Sequence, residues 1–260
     1  MGERTSYAPG TFSWAELSTN DAEGSKVFYT ELFGWDVEDT PAGPDMNYTM
    51  ARVGGEDAAA MYQQGEREQG VPPNWHSYVT VESADDAAAR AKDLGATLLS
   101  EAFDVMDVGR MAIIQDPTGA IFFVWEPRES IGARVVNVPG ALTWNDLSTT
   151  DPETAQRFYS ELFGWVFEKM SPDLDYWVIQ NGDRANGGVR RQEEQEVADG
   201  TPPNWMPYFA VESLEDALAK IEALGGGIIV PPRPLPAGRI AVARDPQGAV
   251  FAMWEGELHE

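Results

Sequence analysis

The sequence predicts an α+β protein built as two tandem domains, each a curled mixed sheet around a concave cleft. Three observations carry this. First, 260 residues accommodate two domains of ordinary size, and a 43% hydrophobic content suffices for packed cores. Second, one phrase occurs twice, 130 residues apart. Its first copy is Phe12-Ser13-Trp14-Ala15-Glu16-Leu17, continuing to Asp21 and then Phe28-Tyr29-Thr30-Glu31-Leu32-Phe33-Gly34-Trp35. Its second is Leu142-Thr143-Trp144-Asn145-Asp146-Leu147, continuing to Asp151 and then Phe158-Tyr159-Ser160-Glu161-Leu162-Phe163-Gly164-Trp165. Third, each copy opens an order of strand, helix and three strands that is run through twice, and a lone helix covers only one sheet face.

The elements follow in chain order. Residues 11–19 alternate and read as a strand. Asp21 is placed to cap a helix over 22–33, with Val27, Phe28, Leu32 and Phe33 as its apolar stripe and Gly34 as its stop. Short strands are expected near 36–38, 48–53 and 58–63, then a polar, proline-bearing loop over 65–74. A strand over 75–81, a helix over 86–94 capped by Ser83 or Asp85, and strands near 97–99, 109–115 and 120–125 complete the first copy. Asp116-Pro117-Thr118-Gly119 reads as the hairpin turn. The second copy repeats this through strands at 141–149, 176–180, 187–192, 205–211 and within 240–254, and helices at 152–163 and 214–224. The expected boundaries are 1–128 for domain 1, 129–140 for a linker and 141–260 for domain 2. Eight of the nine Trp fall into pairs between the copies, with Trp177 alone. Trp35 and Trp165 are expected in the core, and Trp75 and Trp205 as loop anchors.

Composition excludes several function classes. No cysteine is present, so disulfides, thiolate catalysis and Cys metal sites are out. A formal net charge of −25 repels phosphates and anionic lipid, so neither nucleic acid nor membrane is an expected partner. No stretch reaches the length of a membrane span, and residues 1–10 lack a signal-peptide pattern, which favours a cytoplasmic location. The run from Asp183-Arg184 to Glu193-Glu194 reads as a solvated loop face, and Gly225-Gly226-Gly227 is badly placed for a phosphate loop.

The helix phrase after Asp21, together with Asp116-Pro117-x-Gly119, resembles the vicinal oxygen chelate superfamily of glyoxalase, bleomycin-resistance and extradiol-dioxygenase proteins. The likeness covers nearly the whole chain as two tandem domains of two βαβββ modules each. The tandem form, with Gly10-Thr11-Phe12-Ser13-Trp14-Ala15-Glu16-Leu17, is similar to actinobacterial glyoxalase-like proteins labelled "hydroxylase". Metal-dependent members hold a divalent ion on His and Glu ligands. Carried over, those ligand positions fall on Trp14 and Trp144, near Met61 and Val189, on His76 and Met206, and on Phe123 and Ala252. One histidine survives of the three or four donors an ion needs, so neither a bound metal nor any other cofactor is expected.

Strand alternation sorts the side chains. Ala15 and Leu17 should pack beneath the helix. Trp14, Glu16, Ser18, His76, Tyr78, Phe123 and Trp125 should line the first cleft. Trp144, Asp146, Ser148, Met206, Tyr208, Ala252 and Trp254 should line the second. Glu16, His76 and Asp146 are the candidate catalytic groups, and Trp14, Tyr78, Phe123, Trp125, Trp144, Met206, Tyr208 and Trp254 the candidate substrate-binding ones. A carboxylate among aromatics serves as a general base, as an anchor for an ammonium beside cation–π contacts, or as half of an ion pair with Arg110 or Arg239. His76 is one of two histidines, His259 the other. The leading expectation is metal-free acid–base chemistry (isomerisation, epimerisation, cyclisation or elimination) on a small molecule, aromatic or cationic. The alternatives are a non-catalytic small-molecule binder and a metal-dependent lyase or dioxygenase. Monomer and homodimer are both open.

Overall fold

The computed structural model describes residues 2–43 and 46–258; His259 and Glu260 lie outside them. The first half runs β1 (Phe12–Thr19), α1 (Ala22–Phe33), β2 (Asp36–Gly43), β3 (Met46–Val53), β4 (Glu56–Gln63), β5 (Asn74–Thr80), α2 (Ala84–Asp93), β6 (Thr97–Val105), β7 (Gly109–Gln115) and β8 (Ile121–Pro127). The second half repeats it as β9 (Leu142–Thr149), α3 (Pro152–Phe163), β10 (Val166–Ser171), β11 (Leu174–Asn181), β12 (Arg184–Arg191), the short α4 (Glu194–Ala198), β13 (Asn204–Ala210), α5 (Leu214–Ala223), β14 (Gly227–Leu235), β15 (Gly238–Arg244) and β16 (Val250–Gly256). Each half forms one eight-stranded mixed sheet, ordered β2-β3-β4-β1-β5-β8-β7-β6 and β10-β11-β12-β9-β13-β16-β15-β14. The fold is thus the α+β pair of curled sheets that the repeat predicts.

The helix signals act as read. Asp21 accepts from the Gly24 N–H at 3.0 Å and Asp151 from the Thr154 N–H at 3.0 Å. Gly34 and Gly164 end α1 and α3 at φ 71° and 75°, where a Cβ would be strained. Ser83, not Asp85, caps α2. Two edge strands escape the sequence reading. β10 is largely exposed and lacks clean alternation. β14 carries Pro231, Pro232 and Pro234, which only an edge strand accommodates. The expected solvated run at 183–194 is mostly β12, and its Arg190 turns inward.

The cores are not confined to their own halves. Ala15 and Leu17 lie beneath α1 as expected, fully buried. Yet α1 also packs Phe28, Tyr29 and Phe33 against Phe251 of β16, and Phe33 against Phe209 of β13. Symmetrically, Phe158, Tyr159 and Phe163 of α3 pack on Phe122 of β8. Tyr29 Oη donates to Asp245 at 3.0 Å, and Tyr159 Oη to Asp116 at 2.9 Å. The same aspartates close their own hairpin turns through backbone N–H groups. Trp35 and Trp165 fill the core as expected, and their indole N–H groups reach the carbonyls of Gly140 and Gly10 in the opposite half. Trp75 and Trp205 are not loop anchors. They are buried, opening β5 and β13, and donate to the Tyr29 and Tyr159 hydroxyls at 3.0 and 2.8 Å. The connecting stretch 129–140 is packed as well, with Ala133, Val135 and Val136 buried.

Candidate functional site

Register turns the two cleft faces into rows of neighbours. In the first half, β4, β1 and β5 set Ala60, Glu16 and His76 side by side, then Tyr62, Ser18 and Asn74. Trp14 stands opposite Tyr78, which neighbours Phe123 on β8, and Thr80 neighbours Trp125. In the second half the rows are Gly188–Asp146–Met206, Arg190–Ser148–Asn204, Trp144–Tyr208–Ala252 and Ala210–Trp254.

Glu16 sits 8% exposed at the centre of the first cleft. Its Oε2 accepts from Tyr78 Oη at 2.6 Å, and Tyr48 of β3 bonds the same carboxyl while accepting from Trp14 Nε1 at 3.1 Å. Burial pushes the Glu16 pKa above the usual carboxylate range, the two phenols opposing. The His76 ring lies tilted against Phe123, with centroids 4.5 Å apart, and burial pushes its pKa down to about 4, so it is neutral at pH 7. Glu68, on the loop after β4, accepts from Tyr62 Oη at 2.6 Å and Ser18 Oγ at 3.1 Å. An open depression of about 840 Å³ adjoins this loop, lined among others by Gln64, Glu68 and Pro73.

Asp146 occupies the second centre, 4% exposed. Its Oδ1 accepts from Trp144 Nε1 and Tyr176 Oη, both at 2.9 Å, and its Oδ2 from Tyr208 Oη at 2.7 Å. Burial raises its pKa, against three hydrogen bonds and the charge of Arg190. Arg190 is held by Glu196 of α4 through two bonds of 2.6 Å. Gly188 is needed beside Asp146, because a Cβ there would run into Asp146 Oδ1 and Tyr176 Oη.

The structure brings Trp14, Glu16, His76, Tyr78, Phe123 and Trp125 onto one face, and Trp144, Asp146, Met206, Tyr208 and Trp254 onto the other. Trp125 and Trp254 have their N–H groups tied to the Ser130 and Glu257 carbonyls, so they present ring surface only. The ion-pair alternative is overturned. Arg110 binds Asp85 and Asp104, and Arg239 binds Glu215 and Glu255, at the sheets' other ends. The fourth-strand positions also shift by one: Met61 and Val189 are fully buried beneath the helices, and Ala60 and Gly188 take the places beside the carboxylates. Tyr48, Tyr62 and Glu68, with their counterparts Tyr176, Arg190 and Glu196, were missed. They pair at a spacing of 128, because the second copy is two residues shorter before Tyr176 and regains them before Trp205.

The model of the Glyoxalase/Bleomycin resistance protein/Dioxygenase superfamily matches residues 11–123, and that of a glyoxalase-like domain matches residues 142–254. The chain belongs to this superfamily. It is 38% identical over 258 residues to "Putative glyoxylase CFP32" of Mycobacterium tuberculosis, covering 97% of each chain. It is 32% identical to "Anthracycline biosynthesis protein DnrV" of Streptomyces peucetius, covering 96% of this chain and 95% of that one. Among solved structures, the Mn(II)-bound glyoxalase of Novosphingobium aromaticivorans superposes with a TM-score of 0.67 at 15% identity, covering 100% of this chain and 84% of that one. The 2,3-dioxygenase LapB of Pseudomonas sp. KL28 has a TM-score of 0.67 at 14% identity, covering 98% and 95%. At such identity the superpositions speak for the fold alone. Metal-binding members of the superfamily pose a direct question to the donor set. Glu16 is flanked by Ala60 and His76, His76 packs on Phe123, and Asp146 is flanked by Gly188 and Met206, with Ala252 beside the neighbouring Tyr208. Among the described residues no three His, Asp or Glu side chains converge, so the residues present do not fit a superfamily-type metal centre.

Proposed function

We propose that the chain takes small organic molecules into its aromatic clefts and that the first cleft performs metal-independent acid–base chemistry. The observation carrying this reading is Glu16: a desolvated carboxyl with a raised pKa, held by phenols and facing a neutral histidine rather than an arginine or lysine. Desolvation makes such a group a stronger base than an exposed carboxylate, the direction a proton-transferring group requires. In the reading, Glu16 takes a proton from a carbon beside a carbonyl and returns it at the same or a neighbouring carbon, consuming no second reactant. Neutral His76 donates a hydrogen bond to the oxygen on which charge develops. Isomerisation and epimerisation end with that return; in a cyclisation the carbanion instead closes onto a second carbonyl of the same molecule, whose oxygen takes the proton, and in an elimination it expels a leaving group that takes the proton from Glu16. Trp14, Phe123 and Trp125 supply the apolar wall, as in most small-molecule sites. That DnrV is named for anthracycline biosynthesis agrees with a polycyclic aromatic ligand.

The test is carbon-bound proton exchange in D2O, followed by NMR over a panel of carbonyl metabolites. Glu16→Gln should slow exchange by about 10²–10⁴-fold and leave binding in place. Unchanged exchange in that variant defeats the proposal. A second reading, non-catalytic sequestration, is favoured for the second cleft. Asp146 there accepts three hydrogen bonds, a satisfied resting group rather than a waiting base. Ligands that bind without any exchange would extend that reading to both clefts.

A further inference from the structure

The polar rows beside the two carboxylates differ in one respect. In the first half Glu68 Oε1 accepts from both Ser18 on β1 and Tyr62 on β4. One carboxylate oxygen thus bridges the side chains of adjacent strands. In the second half the same row reads Arg190–Ser148–Asn204, and Glu196, on the corresponding loop, binds Arg190. Ser148 Oγ is left fully buried with no hydrogen-bond partner among the described residues. A buried hydroxyl without a bond is costly and rare, and its place beside a guanidinium gives it a use. The two 2.6 Å bonds to Glu196 demonstrate that Arg190 presents its fork to a carboxylate.

We infer that Arg190 and Ser148 form an anchor for the carboxylate of a small organic acid entering the second cleft. The acid takes the Ser148 hydroxyl and the Arg190 guanidinium as Glu68 takes Ser18 and Tyr62, and Glu196 swings away to release them. The inference rests on the reading of the clefts as small-molecule sites and adds the charge class for one of them. Asp146, one step along β9, repels an acid group from the centre and confines it to the Arg190 end, leaving the ligand's apolar body over Met206 and Trp144. The first cleft has Tyr62 for Arg190 and its row is already filled, so it does not take the acid this way.

Calorimetric titration of the full chain with 2-naphthoate and with the neutral 2-naphthamide tests this. The acid should bind at least about tenfold tighter than the amide. Ser148→Ala should weaken the acid several-fold and leave the amide unchanged. Glu196→Ala, or Glu196→Gln if alanine disturbs α4, should tighten the acid, because the competing carboxylate is gone. Equal binding of acid and amide, or weaker acid binding in both Glu196 variants, overturns the anchor while leaving the clefts as binding sites. Binding of neither probe removes both.

Discussion

The two clefts share a frame and differ in their contents. Each frame consists of a central carboxylate, a Trp two residues before it, a Tyr on the neighbouring antiparallel strand and a Tyr on the strand beyond β4 or β12. The contents diverge at the neighbouring positions: His76 against Met206, Phe123 against Ala252, Tyr62 against Arg190. Duplication therefore preserved the groups that hold a buried carboxyl in place and released those that decide what it meets. The first cleft has an imidazole and a filled polar row. The second has a guanidinium and an unfilled one.

The largest test of this division strikes the shared frame. Trp35→Ala and Trp165→Ala should each cost about 3–5 kcal/mol, since each removes a fully enclosed indole and its bond across the halves. Urea unfolding of both variants should give similar losses; a large loss in one and a small loss in the other would break the equivalence of the frames. An intermediate effect should appear at His76. Its folded pKa lies near 4, below the ordinary 6.5, so an unfolded chain binds its proton first. Its contribution is therefore complete above about pH 6.5 and lost as pH falls toward 4. His76→Met, which installs the residue of the second cleft, should flatten the fall in unfolding free energy between pH 6.5 and 4 by about 1–3 kcal/mol. An unaltered slope would mean the imidazole is solvated. The smallest effect belongs to the surface where the copies differ freely. Trp177 has no counterpart, and Lys169 lies 5.5 Å above its ring. Lys169→Ala should change stability by less than about 0.5 kcal/mol in the same assay.

Much of the frame was legible from spacing and parity alone. The caps Asp21 and Asp151, the stops Gly34 and Gly164, and the inward facing of Trp14, Glu16, Tyr78 and Phe123 follow from local chemistry and a period of two. What escaped was non-local. The second phenol on each carboxylate comes from a strand whose register is displaced by a two-residue deletion, so Tyr48 and Tyr176 did not line up. Arg190 looked solvated within a charged run, although it shares parity with Gly188 on the cleft face. The partners of Tyr29 and Tyr159 could not be read at all, because no local pattern tells a helix that half its apolar face belongs to the other copy.

That shared core sets an order of events during synthesis. Tyr29 and its acceptor Asp245 are separated by 216 residues. At about 5–20 residues per second, Tyr29 waits on the order of 10–40 s before Asp245 and the neighbouring Phe251 arrive to cover α1. During that interval Phe28, Tyr29 and Phe33 have only the contacts their own sheet supplies. The nascent chain thus passes through a stage with an aromatic face open to chaperones or to a second copy, and contacts of such long range favour slow closure. Emergence of β15 and β16, which bring Asp245 and Phe251, is the step that shuts it.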